Sequence, residues 1–332
     1  IAVLDLLVQS TSNIVTALLF GTTYGLGDPM RMYLVHHLTN VMALTSASSL
    51  ANFLPDWLSR LFSVLPIWRI GVIRRSRQKL LDFVRDRIDE HKRTLQEKIS
   101  RDFIDGYLHK IYDHQHDPNS HFQERHLEST AVDFYIGGTY TTASFVHWLL
   151  LVCAQKTDTV QSRIQREIDE IVGPERQPTW EDRNRMHFTM ASVWEILRWK
   201  TVSAVKMPRG PRKDTLVNGY VISEDTMVMS NVLAVHRDPT LWERPDDFDP
   251  TRFLASDDSG LVKKPEHLIA FSLGKRMCPA EKLATVEIFL FVASLLQKFT
   301  VFPEEGVRLP RLGSLAVTKA HPAVKNLRFL AR

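Results

Sequence analysis

The residue whose type and setting promise the most chemistry is Cys278. It lies in the stretch Phe271-Ser272-Leu273-Gly274-Lys275-Arg276-Met277-Cys278-Pro279-Ala280, which runs straight into the long apolar segment Leu283 to Phe299. A loop thus delivers a thiol to the start of a helix. Helix N-terminal amides and the nearby Arg276 both favour the thiolate, which is the metal-binding form of the side chain. The plain alternative for a free cysteine is a small buried hydrophobe. Cys153, inside the apolar run Val146 to Ala154, reads that way. With only these two cysteines no disulfide framework is implied, and a reducing compartment fits best.

A second group of interest is Glu195 and Arg198 in Trp194-Glu195-Ile196-Leu197-Arg198-Trp199. One helical turn apart, they can pair on one face. Such a pair on a surface is worth little. Here the tryptophans, Ile196 and Leu197 surround it with apolar surface, so the charges should be buried and need a further partner. Arg252, in the proline-punctuated loop Pro245 to Phe253, is available for that role. The third group is Gly137-Gly138-Thr139-Tyr140-Thr141-Thr142, inside a long apolar helix expected from about Leu127 to Cys153. Each glycine costs roughly 1 kcal/mol relative to alanine in a helix. Either a ligand approaches the backbone there, with threonine hydroxyls free for local hydrogen bonds, or a neighbouring helix packs closely.

The elements that must position these groups are mostly helices. Periodicity predicts helices over Ile1 to Phe20, Asp28 to Ser49, Arg69 to Ser100, Asp102 to Tyr112, Ser162 to Val172 and Met190 to Lys200. Ala51 to Trp68 is apolar and broken by Pro55 and Pro66. Its Phe53, Leu54, Trp57, Leu61, Phe62 and Trp68 suit a core, with a lipid- or partner-touching patch as the alternative. Val202 to Met229 alternates around Asn218-Gly219 and predicts strands on a tight turn, and Val301 to Leu330 predicts a second small sheet. There is no repeat, low-complexity tract or linker, so one domain, mainly α with a minor β part, is expected.

Composition excludes little else. With 332 residues, 44% of them hydrophobic, the chain can bury a large core. Its 42 basic residues exceed 38 acidic ones too narrowly to argue for nucleic acid, although they suit an anionic membrane or an acidic partner. Nowhere are there about 18 uninterrupted apolar residues, so no membrane span is expected. Ile1 stands where an initiator methionine is usual, and the chain reads as a piece lacking an N-terminal part.

The pattern F-x-x-G-x-R-x-C at Phe271 to Cys278 resembles the haem-binding loop of the cytochrome P450 family. A four-residue match arises by chance in roughly one chain of this length in a few hundred. The glycine–threonine helix, Glu195 with Arg198, and the loop ending in Arg252 match the same family in the same order. Asp102-Phe103-Ile104-Asp105 and His236-Arg237-Asp238-Pro239 are similar to its microsomal animal members. The resemblance covers essentially the whole chain. It implies a cytochrome P450 fold, with a long central helix over haem and two small sheets, and reads residues 1–332 as a single haem-thiolate catalytic domain. That domain would lack the membrane anchor and the first helices and strands.

Carried onto this sequence, the resemblance implies that Cys278 is the thiolate ligand of haem b iron. Arg276 and Arg209 would bind the propionates, and Phe271, Gly274 and Ala280 would line the cofactor. Glu195, Arg198 and Arg252 would form a buried structural triad. Thr141, Gly138 and Tyr140 would serve catalysis, with Thr141 guiding protons and Gly137 and Gly138 leaving room for oxygen. Tyr135, Ile136, Gly137, Ser203, Met207 and Val317 would face a lipophilic substrate. Tyr140 stands where the family usually has an acid, and Ala280 where it usually has glycine. The implied activity is a monooxygenase drawing NADPH-derived electrons from a separate reductase, with cytochrome b5 as a second partner. It would work on the cytoplasmic face of the endoplasmic reticulum membrane. The alternatives are a haem-thiolate isomerase or dehydratase of peroxides, to which Tyr140 points, and an inactive haem-binding fragment.

Overall fold

The computed structural model describes residues 1–42, 69–97, 99–224, 226–255, 260, 264–315, 318 and 321–332. The apolar stretch Ala51 to Trp68, with its expected core or patch residues, and the substrate-facing Val317 lie outside the described residues. The chain divides into two compact units: Leu4–Ala143, and Ile1–Val3 with Ser144–Arg332.

The first unit is helical. It holds nearly all of α1 (Val3–Phe20), then α2 (Pro29–Met42), α3 (Arg69–Thr94), α4 (Phe103–Asp113) and the first two thirds of α5 (Glu124–Gln155). In α3, Leu80, Phe83, Val84 and Ile88 fall on one side and are buried, while the intervening charges stay wet. The helix stops at Thr94 rather than Ser100, because the chain folds back in a tight turn in which the Ile99 amide donates to Gln96 O at 3.3 Å. At the end of α1, Gly21 adopts φ +60°, and a Cβ there would lie 2.8 Å from Asp102 Oδ2. Only glycine meets both demands. That carboxylate caps α4 through the Asp105 amide at 3.0 Å and holds His91 Nε2 at 2.6 Å. His91, Asp102 and Asp105 are close enough to suggest a metal group. Their ligand atoms are instead spent on this cap and on Arg101, which forks onto Asp105 at 2.6 and 2.9 Å.

The second unit contains the end of α5, α6 (Ser162–Ile171), α7 (His187–Lys200), α8 (Val232–Arg237), α9 (Glu281–Lys298) and two two-stranded antiparallel sheets. In the first sheet β1 (Thr215–Val217) pairs with β2 (Tyr220–Ile222) across Asn218 and Gly219, whose φ values of 48° and 85° match the two-residue turn that their types favour. The rest of Val202 to Met229 is held only by isolated bridges, Val205 to Asn231 and Arg209 to Val228. In the second sheet β3 (Phe299–Pro303) pairs with β4 (Leu327–Ala331), with Val301 opposite Phe329. The protein is thus mainly α with two small sheets, as the sequence implies.

By length and mean hydropathy, α1 (1.5) and α5 (1.2) are both capable of crossing a membrane, which counting uninterrupted apolar residues overlooks. In the protein half of the α1 window and 72% of the α5 window are buried, as in core helices.

α7 is buried on nearly every face, from Phe188 to Val193 and Glu195 to Trp199. A helix enclosed all round is a core element, and each of its charges needs an internal partner. It begins at His187, three residues before the apolar pattern signals it, because Glu167 of α6 caps its N-terminus. The Glu167 carboxylate accepts from the Phe188 and Thr189 amides at 2.7 and 2.8 Å, an anion at the positive end of the helix.

Candidate haem-thiolate site

Cys278 sits in a loop that closes on itself. Its amide donates to Phe271 O at 2.8 Å, the Met277 amide donates to Gly274 O at 3.0 Å, and the Ser272 amide donates to Ile269 O at 2.8 Å. The bend requires positive φ at Ser272 (66°) and Gly274 (72°). Glycine takes that region freely, whereas serine does so at a cost of about 1–3 kcal/mol, the kind of strain that the surroundings must hold in place. The first residue of α9, Glu281, follows three positions after Cys278, with Ala280 as its cap.

The support behind this loop starts in α7. Arg198 and Glu195 are fully buried and pair as a fork, Nε to Oε2 at 2.7 Å and Nη2 to Oε1 at 2.6 Å. The remaining guanidinium hydrogens reach His236 O, Pro245 O and Asp247 O at 2.8 to 3.0 Å, so all five donors of Arg198 are used. Glu195 Oε1 also accepts from the Asp249 amide at 2.9 Å and from Arg252 Nε at 3.2 Å.

The network continues through His236, also fully buried. Its Nε2 accepts from the Ile269 amide at 3.1 Å, so Nδ1 carries the proton and donates to Thr201 Oγ1 at 2.8 Å. Thr201 in turn donates to Arg198 O at 2.5 Å and is held at φ 31°, a strained position for a β-branched residue. The charged core of α7 is therefore joined by hydrogen bonds to Ile269, two residues before Phe271.

Burial, followed by the cations Arg198 and Lys206, pushes the His236 pKa down to about 3. A histidine neutral in the folded state and free to charge in the unfolded one contributes stability that is complete above its ordinary pKa of 6.5 and drains away as pH falls towards 3. Carboxylates such as Asp182, held at about 2 chiefly by its hydrogen bond from Arg176, lose their contribution only at lower pH. Between pH 6.5 and 4 we expect the unfolding free energy to fall by roughly 1.4 kcal/mol per pH unit on account of His236. Urea midpoints at pH 7 and 5 check this. His236→Gln should lose less over that interval than the wild type, and equal losses would contradict the assignment.

Lys206, which its residue type did not single out, completes the loop's entrance. Its half-buried ammonium donates to Ala270 O, next to the residue that His236 holds. Burial lowers its pKa, while the nearby Cys278 works in the opposite sense.

The two arginines assigned to propionates have charge to offer. Arg276 is exposed and without a hydrogen bond or ion pair among the described residues. Arg209 is exposed, and among the described residues its guanidinium donates only to the neighbouring carbonyls of Met207 and Pro208, at 3.2 and 3.3 Å. Around Cys278 the large apolar side chains Leu273 and Met277 stay 67% and 46% exposed. A soft sulfur donor, uncovered apolar side chains and an unpaired guanidinium fit an apolar macrocycle with a metal centre and anionic edges. Cys278, Phe271 and Met277 also border a cavity of about 810 Å³ against Trp180, Met190, Trp194 and Leu197. None of Arg209, Gly274, Arg276 and Ala280 lines it.

In the other unit, Thr141 lies on α5 and donates to Gly137 O at 2.5 Å. A Cβ on Gly138 would stand 3.0 Å from Val15 Cγ2, so close packing against α1 accounts for this glycine, whereas Gly137 has open space. Tyr140 is half-buried, and burial followed by Asp5 raises its pKa, so it holds its phenolic proton. Tyr135 lies in the core with its hydroxyl 2.8 Å from Ser12 Oγ, and Ile136 packs partly against the same core. Ser203 and Met207, in the Cys278 unit, are exposed.

The family model described as Cytochrome P450 matches residues 1–325. Cytochrome P450 2J2 of Homo sapiens is 34% identical over 319 residues, covering 93% of this chain and 60% of that protein. Cytochrome P450 2U1 of Homo sapiens is 33% identical over 319 residues, 95% of this chain and 57% of that protein. Cytochrome P450 2B9 of Mus musculus is 33% identical over 294 residues, 88% of this chain and 58% of that protein. The chain spans less than two thirds of the length of each. With a match over nearly its whole length, the chain belongs to the cytochrome P450 family.

Proposed function

We propose that this chain is the catalytic part of a haem-thiolate monooxygenase acting on a lipophilic small molecule. The observation that carries the reading is Cys278, unpaired in a self-closed loop whose entrance is tied through His236 to the Glu195–Arg198–Arg252 network. Residues 1–332 are read as one catalytic domain. When bound, the haem supplies the activation of dioxygen and the electron chemistry. The protein's part is ligation by Cys278 Sγ, neutralisation of the propionate edges by Arg276 and Arg209, and cover from Phe271, Gly274 and Ala280.

Thr141 Oγ1 is the proposed proton-handling group. Its hydrogen is shared with Gly137 O, and its lone pairs remain free to accept. Tyr140 keeps its proton at the phenolic oxygen and offers no carboxylate for the relay. Ile136, Gly137, Ser203 and Met207 are the proposed substrate contacts. Electrons would come from an NADPH-dependent reductase, with cytochrome b5 as a second donor. Lys275 and Lys282 are exposed beside Cys278 to meet acidic groups of such a partner. The proposed setting is the cytoplasmic face of the endoplasmic reticulum membrane.

Tyr140 also favours a second reading, an isomerase or dehydratase of peroxides, because such a reaction needs no proton-delivering acid at that position. Turnover separates the two. The haem-supplied protein with reductase, NADPH and isotope-labelled dioxygen is expected to place one labelled oxygen atom in a lipophilic substrate. Conversion of a lipid hydroperoxide without NADPH, together with no labelled product, would overturn the monooxygenase reading in favour of the second.

A further inference from the structure

Two consecutive residues at the entrance of the Cys278 loop are anchored from outside it: Ile269 through its amide to His236, and Ala270 through its carbonyl to the Lys206 ammonium. The two anchors differ in kind. His236 is neutral and belongs to the α7 network. Lys206 is a half-buried cation within electrostatic reach of Cys278. Burying a lysine is costly unless its charge is used, and one carbonyl hydrogen bond is a meagre return for an ammonium.

Its backbone is fixed as well, since the Lys206 amide donates to Ser230 O at 3.1 Å beside the Val205–Asn231 bridge. Among the described residues no carboxylate pairs with Lys206. The charged partner that its position offers is the sulfur of Cys278.

We propose that Lys206 is a positioning residue for the Cys278 ligand: it clamps the loop at Ala270 and holds a positive charge beside the thiolate, which raises the reduction potential of the bound iron. The proposal rests on the haem-thiolate reading. The physical reason is direct. A cation near the ligand sulfur draws electron density away from the metal and stabilises the reduced, more negative state, and it does so more strongly where water is excluded. The clamp should also slow opening of the loop, whose amides at Ser272, Met277 and Cys278 are bonded only to carbonyls of the same segment.

The test compares the wild type with Lys206→Met, which keeps length and loses charge, and with Lys206→Arg, which keeps charge. In the protein without haem, hydrogen exchange of the Ser272, Met277 and Cys278 amides is expected to quicken about tenfold in Lys206→Met. In the haem-loaded protein, a redox titration should show the ferrous form disfavoured about tenfold in Lys206→Met, a downward shift of about 59 mV for one electron. Lys206→Arg should stay near the wild type in both. Faster exchange with an unmoved midpoint would leave Lys206 a plain strut and overturn the proposal, as would an arginine variant shifted as far as the methionine one. A wild-type spectrum without the signature of thiolate ligation would instead defeat the haem reading itself, and with it this proposal. An unmoved variant beside a wild type that shows the signature defeats only the role of Lys206.

Discussion

Glu195→Gln is expected to lower the unfolding free energy by about 3–5 kcal/mol, a large part of the roughly 5–15 kcal/mol by which a domain is held together. Glutamine has nearly the shape of glutamate, so no cavity opens and the loss is electrostatic. The wild-type carboxylate faces two guanidinium groups, Arg198 with no exposed surface and Arg252 at 3.2 Å. Without its charge Arg198 stays buried and uncompensated, the partly exposed Arg252 loses its carboxylate, and the glutamine amide turns a donor towards one of them. Arg198 cannot escape to water, because its other hydrogens are tied to His236 O, Pro245 O and Asp247 O. One of those carbonyls belongs to His236, which holds Ile269, so the damage should extend to the Cys278 loop. Equilibrium urea unfolding at pH 7 checks the stability, and haem uptake by the refolded variant checks the loop. An unfolding free energy within a few tenths of a kcal/mol of the wild type would show that the network is not the anchor described above.

The legible part of this site consisted of side-chain types at fixed spacing. Cys278 with Phe271, Gly274 and Arg276, and Glu195 with Arg198 among tryptophans, stand out because unusual residues recur at loop or helical distances. Arg252 could be matched to the pair because a buried ion pair demands a further partner. The unreadable part consisted of contacts made with backbone. Three carbonyls that satisfy Arg198 come from residues 236, 245 and 247, and a carbonyl carries no residue-type signal. Lys206 reaches Ala270 across 64 positions, from a stretch whose alternation predicts strand and says nothing of that contact. Glu167 sets the start of α7 from 21 positions upstream.

The same limit applies to the fold. The amphipathic stripe of α3 and the Asn218-Gly219 turn are local and were readable. The reason for glycine at position 138, a methyl group of Val15 at 3.0 Å, is not local, and the sequence left it open between ligand approach and helix packing. Tyr135, which the resemblance makes a substrate contact, is held in the core by its hydroxyl 2.8 Å from Ser12 Oγ, a contact that its residue type does not signal.

The most direct test of the central claim is the absorption spectrum of the reduced, carbon-monoxide-bound protein, measured beside Cys278→Ser. Cys278 is the one half-exposed cysteine, and the other, Cys153, is fully buried with its thiol pushed up to about 12, so it offers no competing thiolate. Serine keeps the size of the side chain and the amide bond to Phe271 O, but its hydroxyl is a poor, protonated donor to iron at neutral pH. The account predicts a strongly red-shifted Soret band in the wild type and its complete loss in Cys278→Ser. A histidine-like band, present in both and unchanged by the substitution, would contradict ligation by Cys278.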